Sequence, residues 1–226
     1  MTAPNWKDLG FLTPDAPECQ RDVWALFGRL QGHLEQTLEE LALRTAEPTW
    51  GATLREQVGR AAALRELLDA EAGDAARERL AADETLREFE APLLEVLASG
   101  HVPSLIVTGY ATLGELAALP ARLLADVAGP YARPIAGRLA DSEAHRPLGR
   151  LFGMVDAGAA ERESLRRMLR HLDSRLFLVY ATWRQTFHVL GVDGELLQEE
   201  AASSARAARH VLGLKVTAQD LAGFRV

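Results

Sequence analysis

A single cysteine, Cys19, excludes an intrachain disulfide and any metal cluster built on several thiolates. Positive charge is also scarce: 25 Lys and Arg stand against 32 Asp and Glu, a formal net charge of −7. A nucleic-acid surface needs a clustered basic excess, and the one basic run, Arg162 to Arg170, is interleaved with acids. No uninterrupted apolar run reads as long enough to span a bilayer. Met1 to Phe11 lack the basic-then-apolar order of a secretory leader. Glycine-rich phosphate loops and dinucleotide fingerprints are missing, as is the nucleophile elbow of a hydrolase. The expectation is a cytoplasmic protein with neither nucleic acid nor membrane as partner.

What the chain does have is apolar periodicity. Hydrophobic residues make up 48% and charged residues 25% of it, an ordinary soluble balance with enough length for a sizeable core. Residues 1–16 read as an irregular N-terminal arm and residues 17–226 as one helical domain. Val23, Phe27, Leu30, Leu34, Leu38 and Leu41 recur at helical spacing between Pro17 and about Arg44. Pro48 stops that pattern, and Thr49 can cap a second helix reaching about Ala70, with Leu54, Val58, Ala61 and Leu68 on its inner stripe. Gly73-Asp74 breaks the chain before an acidic, helix-prone stretch to Ser99, in which Pro92 marks a kink or restart. A helix from Pro103 to about Leu119 follows, continued from Pro120 to Gly129. Another runs from about Tyr131 to Val155 with a kink at Pro147. The longest spans about Ala159 to Leu190, and the last, about Leu196 to Leu212, is stopped by Gly213. Nothing reads as a strand, so the fold class is all-α.

Two short stretches concentrate the polar signal. Residues three apart share one face of a helix. Gln57 and Arg60 form such a pair beside the stripe of the second helix, and Ser142 and His145 form another. Between them lies a small-residue face, Thr108, Ala111, Thr112, Glu115 and Ala118, along which the Glu115 carboxylate can reach inward. In carboxylate-bridged di-iron bundles, two helices each carry Glu-x-x-His and two others each add a Glu. Here the first pair has neither ligand type and the second has lost its Glu.

These stretches resemble the ferritin-like superfamily. Glu56-Gln57-Val58-Gly59-Arg60-Ala61 is similar to the Glu-x-Gly-His-Ala segment of its helix B, and Asp141-Ser142-Glu143-Ala144-His145 to the Glu-x-x-His of helix D. The run from Gly109 to Leu116 is similar to helix C, with Glu115 as its lone Glu. The resemblance covers about Asp22 to Ala202 and is nearest to the structural, metal-site-degenerate subunit of bacterial phenylacetic acid degradation (the phenylacetyl-CoA epoxygenase). It implies a ferritin-like bundle with extra C-terminal helices, whose bridging pairs fall on Gln57/Arg60 and Ser142/His145. For the helix A ligand, His33, Glu35 and Glu39 are all candidates.

The resemblance thus implies a non-catalytic structural or partner subunit with no resident cofactor, paired as a homodimer or with a related ferritin-like catalytic subunit. A competing reading is a metal-dependent oxidoreductase holding iron or manganese through an unusual set, Glu115, His145 and Glu39. A third is a bundle that takes a small acyl or aromatic ligand in the cavity left by the metal. Locally, His145 reads either as a metal ligand or as a semi-buried histidine hydrogen-bonded to Ser142 or Glu115. Arg60 either extends to solvent or turns inward to replace the metal and pair with Glu115, with Glu39 or Glu35 assisting.

Overall fold

A computed structural model describes residues 16–127 and 133–224. The described residues are helical with no strand, so the fold is all-α. The expected arm, residues 1–16, lies outside them except for Ala16, which opens the first helix. The expected start of a helix at Tyr131 lies outside them too.

Helix α1, Ala16–Arg44, keeps Val23, Phe27, Leu30, Leu34, Leu38 and Leu41 fully buried, as the periodicity predicts. Helix α2, Pro48–Ala72, lies antiparallel against it. Gly28 of α1 meets Leu68 and Asp69, whereas Glu35 further along α1 meets Arg65. The cap of α2 is not Thr49 but Glu47, whose carboxylate accepts from the backbone N–H of Thr49 (3.0 Å) and Trp50 (2.8 Å), leaving Pro48 in the first turn where it needs no donor. Gly73, at φ 76°, turns the chain into α3, Asp74–Ala81. Asp83 then caps α4, Glu84–Ser99. Pro92 sits inside α4 without breaking it, because the carbonyl it leaves unpaired belongs to the exposed Glu88.

The largest departure from plain α-helix follows. Helix α5, Val102–Val107, passes into a nine-residue π-helical segment, Thr108–Leu116, and then into α6, Leu119–Val127. At its end the Ala117 N–H reaches the Thr112 carbonyl at 2.9 Å, five residues back. The continuous run Val102–Asp126 has the length and apolar composition to cross a membrane, contrary to the reading of the sequence, yet 78% of its apolar window is buried inside the protein.

The single helix expected to end at Val155 is instead two helices, α7, Arg133–Ala140, and α8, Arg146–Phe152. Pro147 starts a helix rather than kinking one: it lies in the first turn of α8, where its missing N–H costs nothing. Ser142 and His145 therefore sit in the intervening turn and do not share a helix face. The long helix is also divided, at Trp183, into α9, Ala159–Thr182, and α10, Arg184–Val189. Trp183 donates its indole N–H to Asp83 at 2.9 Å, tying this break to the start of α4. Helix α11, Gly194–Val211, is capped by Asp193. A short α12, Ala218–Leu221, follows, closed by a capping box between Thr217 and Asp220. The π segment is in contact with α1, α9 and α11, and all of its residues but Glu115 are buried in the core.

Candidate functional site

Three polar assemblies are built into this frame. The first contains two of the residues singled out in the sequence. Glu115, near the end of the π segment, faces the turn before α8, and its carboxylate Oε1 is 3.0 Å from His145 Nε2. Arg122 of α6 reaches the other oxygen of Glu115 at 3.5 Å, and donates to the Glu115 carbonyl at 2.9 Å and to Ser204 at 3.3 Å. The Tyr110 ring stands 5.6 Å from the His145 ring. The hydrogen bond from His145, helped by the charges around it, holds the Glu115 carboxyl below its ordinary range despite partial burial. His145 is thus the hydrogen-bonded histidine of the sequence reading, with Glu115 as its partner.

The closeness of His145 to the π segment depends on Gly114. A Cβ there would stand 2.2 Å from His145 Cγ. Gly114→Ala is therefore expected to push the imidazole off Glu115 and to lower stability by about 1–3 kcal/mol, the usual cost of overpacking. Denaturant melts of the variant and its parent measure the loss, and equal midpoints would refute it.

The other expected partners are elsewhere. The Arg60 side chain is 59% exposed and pairs with Glu56 of its own helix at 2.6 Å. The inward Arg60–Glu115 salt bridge is therefore not formed, because a solvated carboxylate lies within reach one helical turn away. Arg60 and Ser142 do border a common cleft of 370 Å3 between α2 and the turn after α7, which neither Glu115 nor His145 lines. Gln57 is buried, and its side-chain oxygen has no hydrogen-bond partner among the described residues. Glu35 pairs with Arg65 at 2.7 Å, and Glu39 is exposed on α1. Neither assists Arg60 or Glu115.

The proposed ligand set Glu115, His145 and Glu39 is thus not assembled. Among the described residues, no group of three or more His, Cys, Asp or Glu side chains is placed to hold a metal ion. The donors that do meet are one carboxylate and one imidazole, and they share their space with the permanently charged Arg122.

The second assembly lies deeper. Asp173 of α9 and Arg209 of α11 are 1% and 0% exposed, and Arg209 Nη2 is 2.7 Å from Asp173 Oδ2. Thr112 of the π segment donates its hydroxyl to the other Asp173 oxygen at 2.6 Å, and Arg209 donates to the Ala205 carbonyl at 3.1 Å. The guanidinium–carboxylate contact is close but is not aligned as a hydrogen bond, and Arg209 Nε has no partner among the described residues. Burial pushes the Asp173 carboxyl upward, against the opposing charge of Arg209 and the Thr112 hydroxyl. A second pair, Arg166 with Asp220 at 3.0 Å, brings α12 against the same side of α9. The sequence reading missed this assembly. Its signal was two charged residues at stripe positions: Asp173 between Leu169 and Leu176, and Arg209 four residues after Ala205.

The third assembly contains His33, one of the helix A candidates. Its Nε2 is 2.7 Å from Glu90 Oε1, and Arg29 grips the same carboxylate through Nε (2.5 Å) and Nη2 (3.1 Å). Burial alone would raise the Glu90 carboxyl. The hydrogen bonds and charges of His33 and Arg29 override it and hold Glu90 at about 2. These residues border the larger cleft, of 680 Å3, between α1, α2 and the α3–α4 segment.

His171 and His188 are exposed on α9 and α10, and Tyr180 and Phe187 pack edge-to-face in the core with ring centroids 5.9 Å apart. No family model and no curated protein matches the chain.

Proposed function

We propose that the chain is a ferritin-like bundle that has exchanged metal chemistry for internal ion pairing, and that it serves as a structural or partner subunit. One observation carries this reading: the buried Arg209–Asp173 pair, with Thr112, connects the π segment, α9 and α11 at the middle of the core. A di-metal centre bridges helices with cations and carboxylates. Here a guanidinium, charged at every physiological pH, bridges them instead and repels any metal ion nearby. The nearest functional analogy is the structural subunit of the phenylacetate-degrading assembly, so the partner is either a second copy of this chain or a related catalytic bundle.

The test is metal content and assembly together. Protein purified from iron- and manganese-supplemented cells is expected to carry far less than one ion per chain, and to sediment as a dimer or with a co-purifying partner at about 10–100 µM, where an interface worth about 6–7 kcal/mol persists. About two metal ions per chain, as a di-metal centre holds, lost on His145→Ala, would replace the scaffold with an oxidoreductase. A strict monomer with no partner would refute the subunit role.

A further inference from the structure

We infer that the α1–α4 cleft binds a small organic anion, a carboxylate or phosphate head on a short apolar body, at its α3–α4 end. The 680 Å3 volume is within the range of small-molecule sites. Asp69 and Arg65 of α2 pack over Gly28 and Gly32 of α1, while Leu80, Ala81 and Leu86 give an apolar wall opposite.

The charges on the cleft are unevenly used. Arg65 is occupied by Glu35 and Asp69, and Arg29 by Glu90. Among the described residues Arg77 has only Asp74, on an exposed surface three residues back, a pair that water screens to little value. Among the described residues Arg87 donates only to the Ala82 carbonyl, at 3.4 Å. Two guanidinium groups from successive helices thus border an apolar wall, and among the described residues neither has a buried carboxylate as partner, Glu90 being held by Arg29 and His33. Glu39 also borders the cleft, but it lies on α1 14 positions after Ala25, about 21 Å along the helix axis, too far to neutralise that end in salt. Guanidinium forks match the oxygens of carboxylates and phosphates, so the hydrogen-bonding capacity left to water selects an anion and the wall selects its apolar body. The site is independent of the core ion pairs, and the metal content of the protein does not bear on it.

Calorimetric titration of the full chain with hexanoate and with hexyl phosphate tests the inference, with 1-hexanol as the uncharged probe. Saturable binding of at least one anion is expected, absent for hexanol and weakened at least about tenfold in Arg77→Gln/Arg87→Gln. The tighter of the two identifies the head group. Arg167→Gln, an exposed change outside the cleft, should bind like the parent. Because both cleft arginines are exposed, the double variant should keep the parent's melting curve, and Arg87→Gln alone serves if it does not. Absence of saturable binding by either anion up to about 10 mM (weaker than about 3 kcal/mol), or binding unchanged in the variants, overturns the site.

Discussion

Arg209→Ala should destabilise the folded chain by about 3–5 kcal/mol, the range found when one partner of a buried ion pair is removed. The reason is the isolation of what remains. Asp173 is 1% exposed, and without Arg209 its only remaining donor among the described residues is the Thr112 hydroxyl. The lone carboxylate must then be protonated, or water must enter the core. Arg209→Met with Asp173→Asn removes both charges, keeps a polar group for Thr112, and should recover much of the loss. Denaturant unfolding of the single variants, the double variant and the parent gives the coupling directly. An Arg209→Ala protein that unfolds at the parent's midpoint would show that the pair does not support the core.

Acid should find the other weak point at Glu90. Its carboxyl is held at about 2 in the folded chain against an ordinary 4.5. A folded-state value below the unfolded one means that this stability is fully present above about pH 4.5 and is lost as pH falls toward 2. At about 1.4 kcal/mol per unit, the drop corresponds to about 3 kcal/mol. The Glu90 side chain is only 8% exposed, so solvent screens little of it. Arg29 is more than half exposed, which makes that figure an upper bound. Glu90→Gln should therefore be less stable than the parent at pH 7, with the difference shrinking steadily between pH 4.5 and 2. A constant gap between the two stability curves across that range would show that Glu90 is not the titrating group.

Most helices were legible because their apolar residues recur every three to four positions, and burial follows that stripe closely in α1. What escaped depended on contacts across the core. Pro147 suits either a kink or a first turn, and the sequence around it does not distinguish the two. The turn in front of it removed the shared helix face on which the Ser142 and His145 pairing relied. Arg60 and Arg209 illustrate the same limit. Each lies near an apolar stripe, but Arg60 has Glu56 one turn back, a solvated partner that draws it outward. Arg209 has Ala205 in that place and no acid within a turn on its own helix, so its charge is neutralised only across the bundle, by Asp173. The pairing of Glu115 with His145 was accessible because it needed only an inward carboxylate and a semi-buried imidazole. The π register that presents Glu115 left no periodic mark in the sequence.

The order of synthesis gives the Asp173 site one more property. Thr112 and Asp173 leave the ribosome well before α11 supplies Arg209, and Asp220, which adds charge on the same side of α9, comes later still. Throughout that interval the nascent chain has a carboxyl destined for the core without its counterion. It can pack only in neutral form or stay wet, so the centre of the bundle is expected to close last, when the C-terminal helices arrive. Chains released early, short of α11, should therefore be sticky, protease-sensitive intermediates rather than smaller stable bundles.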